Sequence, residues 1–266
     1  METIAIDWSG AKDCRRTLWL DRARDGVLLE LRSGFTRDSV IRYLIEHPQS
    51  DDGMVVGLDF SFSLPDWFLQ EHRLRSARDL WLLVAEQGEQ WLEDCEPPFW
   101  GRPGKPKPKD RWLFRRTEQA FDSVSGINPK STFQIGGAGS VGTSSMRGMP
   151  HLLTLQDAGF AIWPFDPPRM PLVLEIYPRF MTGPVIKSSP VERQKYIEAV
   201  PQGAIPSELA KLAVTCEDAF DAAISAIVMS EHAGELTTIQ AVEDATSLLE
   251  GRVWAPKNLA RQMTDW

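Results

Sequence analysis

The sequence has few of the residues that bind zinc or form disulfide bonds. Its 266 residues include three cysteines and four histidines. Cys14, Cys95 and Cys216 are far apart and the histidines do not cluster, so a zinc site built from these residue types has no ligands. An odd number of scattered cysteines and the lack of a signal peptide predict a reduced, cytoplasmic chain.

Long apolar runs and the common nucleophile motifs are missing as well. No apolar run is long enough to cross a membrane, so we expect no membrane partner. The chain has no Gly-x-Ser-x-Gly motif, no Walker A motif and no histidine with an obvious serine or cysteine partner. Chemistry based on a serine or cysteine nucleophile therefore has little support, and the acidic residues remain as candidates.

The bulk composition is that of a globular protein. Hydrophobic residues make up 42% of the chain and charged residues 25%. We predict a single domain over residues 1–266, with enough apolar material for a large core. The net charge of −8 argues against a protein that binds polyanions over its whole surface.

Hydrophobic periodicity predicts an α/β fold that begins βββαβ. Short polar turns between the first three strands indicate an antiparallel meander, and a fourth strand reached through a helix should lie parallel to its neighbour. Thr36 is the expected N-cap of that helix. The predicted strands are residues 4–7, 17–20, 27–31 and 55–59, and the helix is residues 36–47.

The rest of the chain alternates helices, loops and short strands. We predict a long, mainly helical insertion over residues 60–163, with a helix capped by Ser76 and another over residues 143–158. Short strands are expected at residues 131–135, 160–163, 172–176 and 251–254, and a strong helix at residues 215–230.

Three acids stand at or next to the ends of apolar strands. These acids are Asp7, Asp59 and Glu175. In parallel sheets, functional sites gather at the C-terminal edge of the strands. A carboxylate in this position also serves as a simple cap of the next element, but three in the same setting favour a shared site.

The predicted helix at residues 215–230 adds acids on one side. With Thr215 as N-cap, acids in the first turn favour the helix dipole, which accounts for Glu217 and Asp218 without function. Asp221 lies beyond that turn beside a like charge. Clustered carboxylates without histidine or cysteine suit a hard cation, so we predict Mg²⁺ or Mn²⁺ as the cofactor.

The order of these motifs resembles the ribonuclease H-like fold. More closely, the chain resembles an uncharacterised domain family predicted to consist of ribonuclease H-like nucleases. The similarity spans most of the chain. Its motifs are residues 6–11 (Ile-Asp-Trp-Ser-Gly-Ala), 57–65 (Gly-Leu-Asp-Phe-Ser-Phe-Ser-Leu-Pro), 141–148 (Val-Gly-Thr-Ser-Ser-Met-Arg-Gly), 175–179 (Glu-Ile-Tyr-Pro-Arg) and 217–222 (Glu-Asp-Ala-Phe-Asp-Ala).

The resemblance implies a mixed sheet in the order 3-2-1-4-5 and a metal-dependent nuclease. Asp7, Asp59 and Asp221 or Asp218 would be metal ligands, and Glu175 a further acid of the site. Ribonuclease H proper also carries a glutamate on its first helix, where this chain offers only Glu46 near the far end.

Two further stretches are candidates for substrate binding. Residues 137–142 form a literal G-x-G-x-x-G, which suits a phosphate at a helix N-terminus, a dinucleotide site or simply a tight packing turn. Residues 102–116 carry seven basic residues against Asp110 alone, interleaved with Trp100, Trp112 and Phe114. Cations and rings together suit single-stranded nucleic acid, although a solvated loop that balances an acidic surface explains the same pattern.

We therefore predict a metal-dependent hydrolase that cleaves phosphodiester bonds in nucleic acid. The alternatives are a nucleotide-binding phosphotransferase or ATPase of related fold, and a non-catalytic nucleic-acid-binding module. The predicted catalytic residues are Asp7, Asp59, Glu175, Asp218 and Asp221. The predicted substrate-binding residues are Ser9, Lys105, Lys107, Arg111, Arg147 and Arg179.

Overall fold

A computed structural model describes residues 1–48, 53–109, 111–120, 124, 128–137 and 139–257. Within these residues the chain forms seven strands and eleven helices. The strands are β1 (Glu2–Asp7), β2 (Trp19–Arg24), β3 (Val27–Arg32), β4 (Met54–Leu58), β5 (Ala161–Ile162), β6 (Leu172–Ile176) and β7 (Val253–Trp254). The helices are α1 (Arg37–Glu46), α2 (Asp66–Glu71), α3 (Ala77–Asp94), α4 (Arg116–Ala120), α5 (Gly142–Asp157), α6 (Pro178–Thr182), α7 (Pro190–Ala199), α8 (Ser207–Ala213), α9 (Glu217–Glu231), α10 (Ala233–Thr237) and α11 (Ser247–Glu250).

The strands form one mixed sheet, so the predicted α/β class is confirmed. β1, β2 and β3 make an antiparallel meander, as their short connections predict. β4 is reached through α1 and pairs parallel with β1, and β6 pairs parallel with β4. The C-terminal ends of β1, β4 and β6 therefore meet at one edge of the sheet.

The predicted strand order 3-2-1-4-5 is not confirmed: the observed order is β3-β2-β1-β4-β6-β5. The strand next to β4 is β6, and β5 lies outside it. All five residues of β6 are buried, as an interior strand requires, whereas β5 has only two residues. β7 pairs parallel with the C-terminal end of β6, beyond the residues that pair with β5.

Local capping signals explain where two helices begin. The Thr36 hydroxyl accepts a hydrogen bond from the Ser39 amide, and the Ser76 hydroxyl accepts one from the Asp79 amide. For α9 the predicted cap is wrong by one residue. Cys216 is the N-cap, and its Sγ accepts from the Ala219 amide.

The predicted strand at residues 131–135 is also wrong. This stretch forms a turn whose pairing is limited to an isolated bridge between Trp100 and Gln134. The Ser131 hydroxyl bonds to the Leu113 carbonyl, 2.5 Å away. A polar side chain that bonds a backbone group in this way competes with the hydrogen bonds of a strand.

Helices cover both faces of the sheet. On one face, which we call the α9 face, α9 packs against β1, β2 and β3, and the core includes Ala5, Val55 and Leu174. On the other face, the core joins Ile6 and Leu58 to side chains of α1, α3 and α5. In the part of the chain that the structure describes, no helix is long and apolar enough to span a membrane.

Candidate functional site

Asp7 and Asp59 lie side by side at the edge where the parallel strands end. Side chains alternate along a strand, so Asp7 shares the α9 face with Ala5. Ile6 pairs with Leu58 in parallel register, which places Asp59, the next residue, beside Asp7. The Asp59 amide donates to the Ile6 carbonyl, 3.1 Å away, and fixes the start of the turn that follows β4.

α9 carries Asp221 and Asp218 to the same edge. The helix lies close to the sheet because small residues permit the approach. A Cβ on Gly57 would meet Met229 Sδ at 2.7 Å, and the Thr3 hydroxyl donates to the Ala226 carbonyl at 2.9 Å. Asp221 is 7% exposed and lies four residues after Glu217, the first residue of α9. The helix dipole alone does not explain why this acid is buried.

The four carboxylates act on one another electrostatically. Burial raises the pKa of Asp7 well above its usual range, and the charges of Asp59, Asp221 and Asp218 raise it further. Burial and the Asp221 charge raise the pKa of Asp59 to about 8. Burial also raises the pKa of Asp221 and of Asp218. We call Asp7, Asp59, Asp218 and Asp221 the acid cluster.

Lys187 supplies a positive charge to the acid cluster. Its Nζ donates to Asp221 Oδ2, and the two side chains are only 12% and 10% exposed. The other oxygen, Asp221 Oδ1, is buried without a hydrogen-bond partner. Lys187 lies in an irregular segment with no motif around it, so the sequence does not indicate its role.

Glu175 does not join the acid cluster. It lies between Leu174 and Ile176, which face α9, so its own side chain points to the opposite face of the sheet. There Arg115 binds it through two hydrogen bonds, of 2.5 and 2.9 Å, and the Phe62 amide donates to Oε2 at 2.9 Å. The Glu175 charge still contributes to the raised pKa of Asp59.

Arg115 is the centre of a buried ionic network. Its side chain is 1% exposed and also binds Glu118, at 2.5 Å, and the Glu250 carbonyl, at 3.0 Å. Burial raises the pKa of Glu118 to about 7, even though Arg115 opposes this shift. The network joins the loop before α4 to β6 and α11 and has no direct bond to the acid cluster.

Two predicted substrate-binding residues, Ser9 and Arg147 of α5, help to hold the turn after β1. The Ser9 hydroxyl bonds to the Thr17 hydroxyl at 2.6 Å and accepts from the Ala11 amide. Arg147 donates to the Gly10 carbonyl and to Glu89, so its guanidinium is engaged within the protein. A Cβ on Gly10 would meet the Ser144 amide nitrogen at 2.7 Å. The substrate-binding roles of Ser9 and Arg147 stay predictions.

Arg179 lies near the acid cluster and is 9% exposed. It donates to the carbonyls of Gly183 and Val185, and its charge opposes the rise that burial causes in the pKa of Asp221. Burial and the Asp59 charge raise the pKa of Tyr177 to about 12. Asp59 and Tyr177 also line a small pocket of about 30 Å³, with Phe60, Lys130 and Phe180 among its walls. Such a volume holds roughly one or two water molecules.

The three predicted substrate-binding cations of the basic stretch at residues 102–116 have partners inside the protein. Lys105 pairs with Glu96 at 2.6 Å, and Lys107 lies over the rings of Trp100 and Phe114. Arg111 pairs with Glu71 at 3.0 Å. These contacts agree with a loop that balances an acidic surface, and a role in substrate binding stays a prediction. Asp110 lies outside the described residues.

Packing accounts for Gly142, the last glycine of the G-x-G-x-x-G motif, and for Gly136, which directly precedes the motif. A Cβ on Gly142 would meet the Thr132 carbonyl oxygen at 2.4 Å, and one on Gly136 would meet the Gly101 carbonyl oxygen at 2.5 Å. The Gly142 amide donates to the Gln134 carbonyl at 2.9 Å, which leaves it unavailable to a phosphate. Ala138, within the same motif, lies outside the described residues.

The acid cluster fits a hard divalent cation in chemistry and in charge. Every donor is a carboxylate oxygen, Asp221 Oδ1 is buried and unpaired, and Lys187 offsets only part of the negative charge. The side chains are not arranged as a finished metal site. Within the described ranges, no three His, Cys, Asp or Glu residues form a group that could hold a metal ion.

Comparison with known proteins gives no relative: no family model, curated protein or solved structure matches the chain.

Proposed function

We propose that this protein is a divalent-cation-dependent phosphodiesterase with a ribonuclease H-like site that acts on nucleic acid. The observation that carries the proposal is the acid cluster itself. Three different elements bring Asp7, Asp59 and Asp221 together at one sheet edge, and burial together with the charges of Asp59 and Asp221 raises the pKa of Asp7. Partly buried carboxylates whose charges repel one another need a proton or a cation, and Mg²⁺ or Mn²⁺ is the cation that suits oxygen donors.

Each member of the site has a separate role in this proposal. Asp7, Asp59 and Asp221 would hold the ion, and Asp218 would add negative charge from the first turn of α9. When bound, the ion activates water and stabilises the oxygens that gain charge during displacement at phosphorus. Lys187 and Arg179 lie beside Asp221 and attract the phosphate, which carboxylates alone would repel.

The test is hydrolysis of a phosphodiester by wild type and by Asp7→Asn. Labelled single-stranded DNA, structured DNA and RNA would be incubated with the full chain and Mn²⁺, alongside a small chromogenic phosphodiester. Outer-sphere groups already cost roughly 10- to 100-fold in metal affinity or activity, so we expect Asp7→Asn to lower kcat/KM by at least about 100-fold. Asp157→Asn is the control, because that carboxylate is exposed and far along the chain from the acid cluster.

A thermal scan separates loss of the site from loss of the fold. Mn²⁺ should raise the Tm of wild type and of Asp157→Asn, and should leave the Tm of Asp7→Asn unchanged. Hydrolysis by Asp7→Asn at the wild-type rate would contradict the proposal, and so would a wild type that neither hydrolyses a diester nor binds Mn²⁺.

A further inference from the structure

Lys187 is the cation that the acid cluster shares. It is bonded to Asp221 Oδ2, and its positive charge also acts on Asp7, Asp59 and Asp218. The side chain is nearly as buried as its partner. An ordinary surface ion pair would face solvent, whereas this ammonium is buried against Asp221 and its charge also reaches the other acids of the cluster.

Two buried arginines hold the segment that carries Lys187. Arg193 is 4% exposed and donates to the backbone carbonyl of Lys187 itself and, at 2.9 Å, to that of Val214. Arg179 holds the same segment further upstream, through the carbonyls of Gly183 and Val185 at 3.1 and 2.7 Å. The backbone is thus held at Lys187 and at two residues upstream of it, which preorganises a side chain that is otherwise flexible.

The two oxygens of Asp221 are in different situations. Oδ2 is occupied by Lys187, and Oδ1 is buried without a partner. A carboxylate that bridges two metal ions uses both oxygens for metal. Here one oxygen is available, and a second divalent ion at the position of Nζ would have to displace an ammonium that the protein holds in place.

We infer that Lys187 takes the place of a second divalent cation, so that the site works with a single ion. This inference rests on the proposed function. Two-metal sites stabilise the attacking and the leaving oxygen of a phosphoryl displacement with one ion each. In this protein the fixed ammonium would perform one of these tasks by electrostatic stabilisation, and an ion held by Asp7, Asp59 and Asp221 would supply the other.

Counting bound Mn²⁺ tests the inference directly. Mn²⁺ would be titrated into the metal-free full chain, and the free Mn²⁺ would be measured by electron paramagnetic resonance. The proteins compared are wild type, Lys187→Met, Lys187→Arg and Lys195→Met. We expect one Mn²⁺ per chain in wild type and in Lys187→Arg, which keeps the charge, and two per chain in Lys187→Met. Lys195→Met is the matched control, because Lys195 is 65% exposed on α7, and it should bind one.

Thermal stability gives a second readout that does not depend on activity. Without metal, Lys187→Met leaves Asp221 uncompensated, so its Tm should fall below that of wild type. Saturating Mn²⁺ should then raise the Tm of Lys187→Met by more than it raises that of wild type, because two ions bind instead of one. If Lys187→Met does not fold, the stoichiometries of wild type and Lys187→Arg decide the question.

The outcomes separate this inference from the proposed function. Two Mn²⁺ ions in wild type would overturn the role of Lys187 and leave a metal-dependent phosphodiesterase intact. The same would follow if Lys187→Met bound one Mn²⁺ with the wild-type Kd. A wild type that binds no Mn²⁺ and hydrolyses no diester would remove the proposed function and the inference with it.

Discussion

At the scale of single residues, strand parity decides which acids can meet. Asp7 and Asp59 continue the rows of Ala5 and Gly57 and so face α9. Glu175 belongs to the opposite row, where Arg115 binds both of its oxygens. All three acids lie at the end of an apolar run. Because side chains alternate between the two faces of a sheet, an acid placed one residue earlier or later on its strand faces the other side and meets other partners.

The raised pKa of Asp59 makes stability depend on pH. The folded pKa is about 8 against an ordinary value of 3.8, so the folded state holds this proton more tightly than the unfolded state. The stabilisation is complete below the ordinary value and is lost progressively as the pH rises from about 4 to about 8. Asp59→Asn cannot lose that proton.

We therefore expect Asp59→Asn to gain on wild type as the pH rises from 6 to 8. The difference in unfolding free energy should shift toward the variant by up to about 1.4 kcal/mol per pH unit and level off above that range. Urea unfolding in EDTA would measure it. Asp13→Asn is the control, because Asp13 is exposed and lies outside the acid cluster. A constant difference for Asp59→Asn would refute the shift.

At the scale of elements, the acid cluster depends on close contacts between backbones. The turn after β1 touches the start of α5, where the Gly10 position has no space for a Cβ beside the Ser144 amide. Arg147 of α5 donates to the Gly10 carbonyl from the same side. The turn begins directly after Asp7, so the contact with α5 also sets the position of that carboxylate.

Replacement of Gly10 by alanine should therefore disturb both the fold and the site. Overpacking against backbone typically costs about 1–3 kcal/mol, and we expect a loss in this range from urea unfolding. Mn²⁺ affinity should fall as well, because Asp7 moves with the turn. Gly234→Ala is the control: that position is open, so its stability should be within about 0.5 kcal/mol of wild type. Equal stabilities of the two variants would contradict this account.

At the scale of the whole molecule, Arg115 connects distant parts of the chain. It binds Glu118 three residues away, Glu175 in the sheet and the carbonyl of Glu250 near the last strand. Glu250 in turn accepts from the amides of Asp66 and Arg116 at 2.8 and 2.7 Å. Beside β6 the core therefore contains buried opposite charges, and each charge is stabilised by its partner in the network.

Removal of Arg115 should destabilise the protein strongly. Arg115→Met leaves Glu118 and Glu175 buried without their cation, and such a loss typically costs about 3–5 kcal/mol. The adjacent Arg116→Met is the matched control, since its pair with Asp244 is exposed and should contribute less than about 1 kcal/mol. Similar unfolding free energies for these two variants, measured in urea, would show that the network does not stabilise the fold.

Most local features could be predicted from the sequence, because their causes lie within a few residues. Thr36 and Ser76 cap helices through bonds three residues along the chain, and the short turn between β2 and β3 requires antiparallel pairing. Asp7 and Asp59 could be placed at one sheet edge for the same reason, since each directly follows a buried run.

Features that depend on distant residues could not be predicted. The order of β5 and β6 depends on which strand is buried on both faces, and a short apolar run does not show this by itself. The sequence around Lys187 does not predict a role at the site. That role depends on its contact with Asp221, 34 positions away, and on Arg179 and Arg193, which hold the backbone of its segment.

The sequence alone determined an α/β fold, its first five elements and a set of acids without histidine or cysteine partners. Only the tertiary structure decided which acids meet. Strand parity placed Glu175 with Arg115 on one face, and the packing of α9 against Thr3 and Gly57 brought Asp221 to Asp7 on the other. Hydrogen bonds within a turn are local, but neighbours across a sheet or beneath a helix depend on how the whole chain packs.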